Sequence, residues 1–340
     1  MDLLPLSLRV EEVSQVGSAR RLASTLCREL GFAETRISEA ALVVTELATN
    51  LVKHTRGAGG TLVFQPLQEA GGVGLDILSL DRGPGIANIA ESLRDGHSTA
   101  GSPGTGLGAI RRLSSQFDLY SAPGQGVAVL SRMWHSAPAA ATDALTVGAV
   151  CLPVHGEQVC GDAWAMKTGK GSTLFLLADG LGHGPDAAQA ADLAVALFHK
   201  HAPGGGPAQL LELLHAGLRS TRGAVLAVAE LSLAQGVLRF AGVGNIAGMI
   251  LDGPNCRNLV SYNGTAGVEV RKIHEFSYPW PAGGTLLLHS DGLATHWSLA
   301  HYPGLARKHP TLIAGVLFRD HQRVRDDSTV LVAREERSPP

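Results

Sequence analysis

The sequence predicts an α+β protein built from two domains. Three observations carry that expectation. At 340 residues the chain can bury two cores of ordinary size. A small, weakly polar stretch, Ser136-Ala-Pro-Ala-Ala-Ala-Thr-Asp143, separates two halves with their own apolar patterns. Each half mixes helical periodicity with short strands in no regular βαβ alternation. The expected division is residues 1–134, a linker at 135–144, and residues 145–336.

In the first half, residues 18–30 form an amphipathic pattern closed by Gly31. Ile37, Ala40, Ala41, Val44, Leu47, Ala48 and Leu51 recur at three- and four-residue spacing, which predicts a helix over 38–54. Residues 61–65 and 74–80 read as strands, and a helix is expected over 107–117. In the second half, an apolar strand pattern begins at 145–150. Further strands are expected at 172–178, 224–232, 237–241, 285–289 and 329–333. Helices at 186–201 and 207–219 lie among them, separated by the loop Pro203-Gly-Gly-Gly-Pro207.

Composition narrows the class. The chain is 45% hydrophobic and 17% charged, with a formal net charge of −2 and no long basic run. A dedicated nucleic-acid or anionic-membrane surface is therefore not expected. Its 42 glycines follow no triplet repeat, so they mark turns and close approaches to a ligand. The four cysteines, Cys27, Cys151, Cys160 and Cys256, form no C-x-x-C pair and no disulfide framework. No signal peptide is evident, and no apolar run reaches the roughly 18 residues of a membrane helix. A cytoplasmic protein is the expectation; its oligomeric state is open.

Three segments of the first half belong together. The helix at 38–54 places Glu46 and Asn50 one turn apart on one face. A strand ends in Asp81-Arg-Gly83-Pro-Gly85-Ile86, where a carboxylate can accept a purine exocyclic amine. Gly101-Ser-Pro-Gly104-Thr105-Gly106-Leu-Gly108 leads into a helix whose free N–H groups can receive phosphate oxygens. An amide or carboxylate beside it can hold Mg²⁺ against those phosphates. Singly, each piece has an ordinary structural reading; their order is what is specific.

That order resembles the Bergerat-type ATP site of the GHKL superfamily. The resemblance covers roughly residues 8–133. It implies that Asn50 binds Mg²⁺ and that Glu46 orients or activates the reacting hydroxyl. It also implies that Asp81, Gly83 and Gly85 form the adenine box, and that Gly104, Thr105, Gly106 and Gly108 belong to the phosphate lid. Asp95-Gly-His-Ser-Thr99, Arg112-Leu-Ser-Ser-Gln-Phe-Asp118 and Ser121-x-Pro-Gly-x-Gly126 are similar to the serine kinases that regulate sigma factors and stressosomes. No helix carries a phosphoacceptor histidine of the histidine-kinase kind. His54, one turn beyond Asn50, is read as a helix-surface residue.

The second half carries aspartates at the ends of apolar strands. Asp162 follows Val-Cys-Gly, and Asp179-Gly180-Leu-Gly-His183-Gly184 terminates Leu174–Ala178. Asp291-Gly292 terminates Leu286–Ser290, and Asp326-Asp327 precedes Ser-Thr-Val-Leu-Val332. Carboxylates at buried strand ends are costly to desolvate unless something neutralises them. Several converging on one point suit hard divalent ions such as Mg²⁺ or Mn²⁺.

The motif series resembles PPM-type protein phosphatases, in their SpoIIE-like bacterial branch, over roughly 145–335. The resemblance implies an αββα sandwich with two or more Mn²⁺ or Mg²⁺ ions. Their ligands would be Asp162, Asp179, the Gly180 carbonyl, Asp291 and Asp326, with Asp327 in reserve. His183 would act as general acid or bind substrate phosphate. Gly242-Val-Gly-Asn245 is similar to a turn between two core strands. No position identifies an arginine for the substrate phosphate. Of the other histidines, His199, His201, His289 and His296 show no metal-ligand spacing.

Together the resemblances imply a bifunctional regulatory enzyme: a Ser/Thr phosphatase joined to an ATP-binding serine-kinase-like domain, acting on a STAS-domain or anti-sigma-type partner. Alternatives are a phosphatase regulated by a non-catalytic ATP-sensing or partner-binding domain, and an interaction scaffold.

Overall fold

The computed structural model describes residues 4–69, 71–93, 106–137, 145–169, 171–201, 205–253 and 255–336. The chain forms two units, one of Met1–Asp143 and Tyr302–Arg319, the other of Ala144–His301 and Asp320–Pro340. Both combine helices with antiparallel sheet, as an α+β class requires.

The first unit begins with strand β1 (Leu6–Val10), helix α1 (Val13–Glu29) and helix α2 (Glu34–His54). A capping box between Glu12 and Gln15 satisfies backbone N–H groups at the start of α1. α2 buries Ile37, Ala40, Val43, Val44, Leu47, Ala48 and Leu51, a single stripe set by the three- and four-residue spacing. Thr55 closes the helix: its hydroxyl donates to the Leu51 carbonyl at 2.7 Å and accepts the Gly59 N–H at 2.8 Å. Strands β2 (Gly60–Glu69) and β3 (Gly72–Asp81), the short helices α3 (Ile89–Ser92) and α4 (Gly106–Leu113), and strands β4 (Gln116–Ser121) and β5 (Val127–Ser136) follow. The sheet order is β1-β2-β3-β5-β4, with every pairing antiparallel. Leu62, Phe64, Leu75, Ile77 and Val129 meet the stripes of α1 and α2 in one core.

The helix expected over 107–117 is overdrawn. It stops at Leu113, and Phe117 lies in β4. Side chains take up the last carbonyls: Ser114 Oγ donates to Ile110 at 2.7 Å and Arg36 to Leu113 at 3.1 Å.

Tyr302–Arg319, distant in sequence, belongs to this unit and carries most of a helix, Pro310–His321. Lys308 pairs with Asp118 at 3.0 Å, and Asp118 also accepts the His309 N–H at 2.7 Å. Arg319 donates to the Asp81 carbonyl at 2.8 Å, and Arg82 donates to the Arg319 carbonyl. Arg132, bound to buried Asp76 by two bonds of 2.7 and 2.8 Å, also reaches Thr311 at 3.5 Å.

The second unit contains two five-stranded sheets. Its elements are β6 (Leu145–Leu152), β7 (Asp162–Thr168), β8 (Thr173–Gly180), α5 (Pro185–Lys200), α6 (Gly206–Gly217), β9 (Ala224–Ser232), β10 (Val237–Val243), β11 (Ala247–Asp252) and β12 (Asn255–Asn258). Then come β13 (Gly264–Thr265), β14 (Glu269–Val270), β15 (Phe276–Pro279), β16 (Thr285–His289) and β17 (Ser328–Glu335), with α7 (Pro310–His321), which belongs mostly to the first unit, between the last two in sequence. The sheet orders are β15-β10-β9-β8-β7 and β12-β11-β16-β17-β6.

β8 shows why its sequence is a continuous apolar run. Leu174, Leu176 and Ala178 face Ala190, Ala194, Phe198, Leu211 and Leu214 of α5 and α6. The alternate residues, Phe175 and Leu177, pack with Leu286, Leu288, Leu331 and Ala333 of the other sheet. A central strand covered on both faces has no polar side to display.

Candidate functional site

In the first unit, Asp81 ends β3, and the backbone holds its carboxylate in place. Oδ1 accepts the Gly83 N–H at 2.7 Å and the Val127 N–H at 3.2 Å. Burial pushes its pKa above the usual carboxylate range, while those two N–H groups, Arg319 and His54 pull it down. Gly85 has φ +78°, and a Cβ there would meet the Ala122 carbonyl. Gly126 has φ +70°, and a Cβ there would overlap the Asp81 carbonyl oxygen. Ser121 completes the turn: its hydroxyl accepts the Ile86 N–H and donates to the Gly126 carbonyl, each at 2.8 Å. Gly126 and Ser121 thus support the Asp81 turn. Reading by motif did not assign them that role, although the glycine after a turn and before β5 was a visible signal.

Glu46 and Asn50 are half-buried at the edge of the α2 stripe, one turn apart. Gly106 opens α4 and Gly108 is buried within it. Gly104, Thr105 and the stretch 95–99 lie outside the described residues.

In the second unit the register of β7 on β8 sets Asp162 opposite Asp179. β16 and β17, paired antiparallel with His289 opposite Val330, place Asp291 and Asp326-Asp327 at one common end of that pair. Ser290 joins the two sheets there. Its hydroxyl donates to Asp162 Oδ2 at 2.6 Å and accepts the Thr329 N–H at 3.0 Å. Asn245 donates to Asp291 Oδ2 at 2.7 Å, so the glycine-flanked turn expected between core strands also positions a carboxylate. Gly180 is needed because a Cβ there would run into the Ala187 carbonyl of α5.

The neighbouring aspartates differ in what they touch. Asp327 is only 2% exposed, and its two oxygens accept the Val154 and Gly161 N–H groups, each at 2.7 Å. Asp326 instead interacts with Asp291, and its pKa is raised by burial and then by that carboxylate. Asp179 is pushed up to about 9 by burial first and then by Asp162, Asp291, Asp326 and Asp327. Asp162 rises to about 7, mostly from burial, with the Ser290 hydrogen bond opposing. Mutual repulsion of this kind is relieved by a cation. Among the described residues no three His, Cys, Asp or Glu side chains are closed up as a ready cage. The donor set is nevertheless all oxygen, which fits hard divalent ions.

His183 is exposed, with Nδ1 3.0 Å from Glu157 Oε1. His289 is buried and turns Nδ1 to the Ser290 carbonyl at 2.8 Å; burial lowers its pKa. Arg222 pairs with Asp186 at 2.6 Å beside Gly182.

Comparison with known proteins places both units in families. The histidine kinase-like ATPase domain model matches residues 10–132, and the stage II sporulation protein E (SpoIIE) model matches residues 169–336. Serine/threonine-protein kinase RsbT of Bacillus subtilis (strain 168) is 31% identical over 127 residues, 37% of this chain and 94% of RsbT. By this measure the chain belongs to the histidine kinase-like ATPase family as an RsbT-like kinase homologue, joined to a SpoIIE-type PPM phosphatase domain. A solved structure described as "The bacterial stressosome: a modular system that has been adapted to control secondary messenger signaling" contains a similar chain. It is 32% identical, with 56% of this chain and 99% of that chain covered and a TM-score of 0.51. The PP2C domain of SpoIIE from Bacillus subtilis, with a fragment of its regulatory domain, is similar over 97% of this chain and 99% of its own. That match has 16% identity and a TM-score of 0.48. Among the described residues no helix is long and apolar enough to cross a membrane.

Proposed function

We propose that this chain is a two-way phosphorylation switch: its ATP-binding unit phosphorylates a serine or threonine of a regulatory protein, and its phosphatase unit removes such a phosphate. The observation that best supports the second half is the grouping of Asp162, Asp179, Asp291 and Asp326 at neighbouring strand ends, where burial and mutual charge raise the pKa of Asp162, Asp179 and Asp326. Asp162, Asp179, the Gly180 carbonyl, Asp291 and Asp326 would hold Mn²⁺ or Mg²⁺, while Asp327 keeps the Val154–Gly161 loop in place. Bound there, a pair of divalent ions would supply a water of lowered pKa and stabilise charge at phosphorus. Asn245 and Ser290 orient the carboxylates that receive them. His183, paired with Glu157, would hand a proton to the leaving serine oxygen or bind the phosphate.

In the ATP unit, Asp81 would accept the adenine amine, Gly83 and Gly85 would admit the ring, and the α4 N-terminus with Gly106 and Gly108 would receive phosphates. Asn50 would hold Mg²⁺ and Glu46 would orient the acceptor hydroxyl. RsbT is by its name a serine/threonine kinase, and a similar chain belongs to a structure described under the bacterial stressosome, so we take the partner to be a STAS-domain or anti-sigma-type protein. The four cysteines form no disulfide, which suits a cytoplasmic setting.

A second reading, in which nucleotide regulates the phosphatase, draws on Tyr302–Arg319. That segment lies in sequence between Asp291 and Asp326, belongs to the ATP-binding unit, and reaches the Asp81 carbonyl through Arg319. Asn50→Ala tests the two readings. Loss of phosphotransfer from ATP to the partner with unchanged Mn²⁺-dependent dephosphorylation supports the switch. Dephosphorylation that responds to a non-hydrolysable ATP analogue, with no transfer by wild type, supports the sensor.

A further inference from the structure

The loops beside the clustered aspartates present arginines. Arg222 is exposed and precedes Gly223, whose carbonyl accepts the Leu181 N–H at 3.0 Å, two residues beyond Asp179. In the segment that leads directly into Asp326, Arg323-Val324-Arg325 is exposed throughout. The Arg323 N–H is tied to the Gly292 carbonyl at 2.7 Å, next to Asp291, so this loop is anchored beside that carboxylate. The same loops expose aliphatic side chains: Leu181 is 53% exposed, Val268 63% and Val324, between Arg323 and Arg325 in sequence, 82%. Val268 packs on the Arg222 side, where its side chain would touch a Cβ at Gly223.

Exposed aliphatic and guanidinium groups on the same loops suit a protein surface better than a small phosphate ester. Arg222 is held by Asp186, an exposed pairing that contributes little and exchanges readily. We propose that Arg222, Arg323 and Arg325, with Leu181, Val268 and Val324 between them, form a docking rim. It recognises a phosphoserine segment with acidic flanking residues. The inference rests on the phosphatase reading and adds the class of substrate to it. Complementary charge is the argument: three exposed guanidinium groups stand on loops anchored next to Asp179 and Asp291, and acidic flanks of a substrate would pair with them.

The test uses the full chain with Mn²⁺ and three substrates: a phosphoserine peptide flanked by glutamates, the same peptide flanked by lysines, and a small aryl phosphate. The rim predicts a preference of roughly tenfold in kcat/KM for the glutamate peptide, carried by KM and fading as salt is raised. In the combined Arg222→Ala, Arg323→Ala, Arg325→Ala variant the preference disappears, while aryl phosphate turnover and Mn²⁺ affinity stay within about twofold. Charge reversal, Arg222→Glu with Arg323→Glu, transfers the preference to the lysine peptide. Equal use of both peptides by wild type overturns the rim. So does a variant that loses peptide and aryl phosphate turnover alike with weakened Mn²⁺ binding. If wild type hydrolyses none of the three, the phosphatase reading has failed. Fluorescence anisotropy then still decides the rim: selective binding of the glutamate peptide, lost in the triple variant, supports it, and equal binding contradicts it.

Discussion

Asp326 and Asp327 are adjacent carboxylates, and the structure assigns them opposite consequences on removal. Asp327→Ala deletes the acceptor for the Val154 and Gly161 N–H groups, two bonds of 2.7 Å to a side chain that is 2% exposed. A hydrogen bond to a charged group contributes about 1.5–3 kcal/mol, and a buried donor left unpaired loses its hydration as well. Water can reach the Val154 side, so the expected loss of stability is roughly 2–4 kcal/mol. Asp326→Ala removes a carboxylate that faces Asp291 and is raised by it. In the metal-free protein this relieves repulsion, so stability holds or rises, while affinity for Mn²⁺ falls. Urea unfolding of the phosphatase unit in EDTA reads the first effect, and calorimetric Mn²⁺ titration reads the second. An Asp327→Ala protein of full stability with lost metal binding, beside an unstable Asp326→Ala protein, would refute the assignment.

Three further outcomes are expected. Gly126→Ala forces a positive φ on a residue with a Cβ and drives that Cβ into the Asp81 carbonyl. It should cost at least ~1–2 kcal/mol and weaken binding of a fluorescent ATP analogue, as thermal melting and titration would show. Without metal, stability should fall as pH rises. Folded Asp179 keeps its proton up to about 9, whereas the unfolded chain releases it near its ordinary value, so the folded state binds more protons throughout that window. Mn²⁺ should reverse the loss, by about 2.7 kcal/mol at one hundred times its Kd, measurable as the melting temperature at pH 5 and pH 8.5 with and without metal. Asn245→Ala should free the Asp291 carboxylate and weaken Mn²⁺ binding roughly tenfold at unchanged fold, seen by calorimetry against circular dichroism.

Much of this architecture was legible because burial imposes period. The α2 stripe and the β8 run announced themselves, since one helix face or both strand faces had to be apolar. The Pro310–His321 helix was missed for a related reason. Residues 310–318 are all buried, so no polar face marks its turns. The end of α4 was misjudged because Phe117 fits a helical spacing, while the break depends on Ser114 and on Arg36 from a distant helix. Strands β4 and β5 gain their definition from pairing, which periodicity cannot display.

The candidate site was legible as motif but not as division of labour. Motif spacing favoured Asp326 over Asp327 as ligand, but what Asp327 does instead was not legible, because its partners Val154 and Gly161 lie far off in sequence. Ser290 and Asn245 carry no chemistry of their own to draw attention. Their roles arise only when two sheets bring them against Asp162 and Asp291.

The most direct test of the central claim is phosphate release from a phosphoserine peptide with Mn²⁺, comparing wild type with Asp179→Asn. Wild-type release that falls by a hundredfold or more in the variant, at unchanged secondary structure, is the predicted result (about 2.7 kcal/mol of lost transition-state stabilisation). Equal release by both proteins would contradict the placement of the chemistry at the Asp179 strand end.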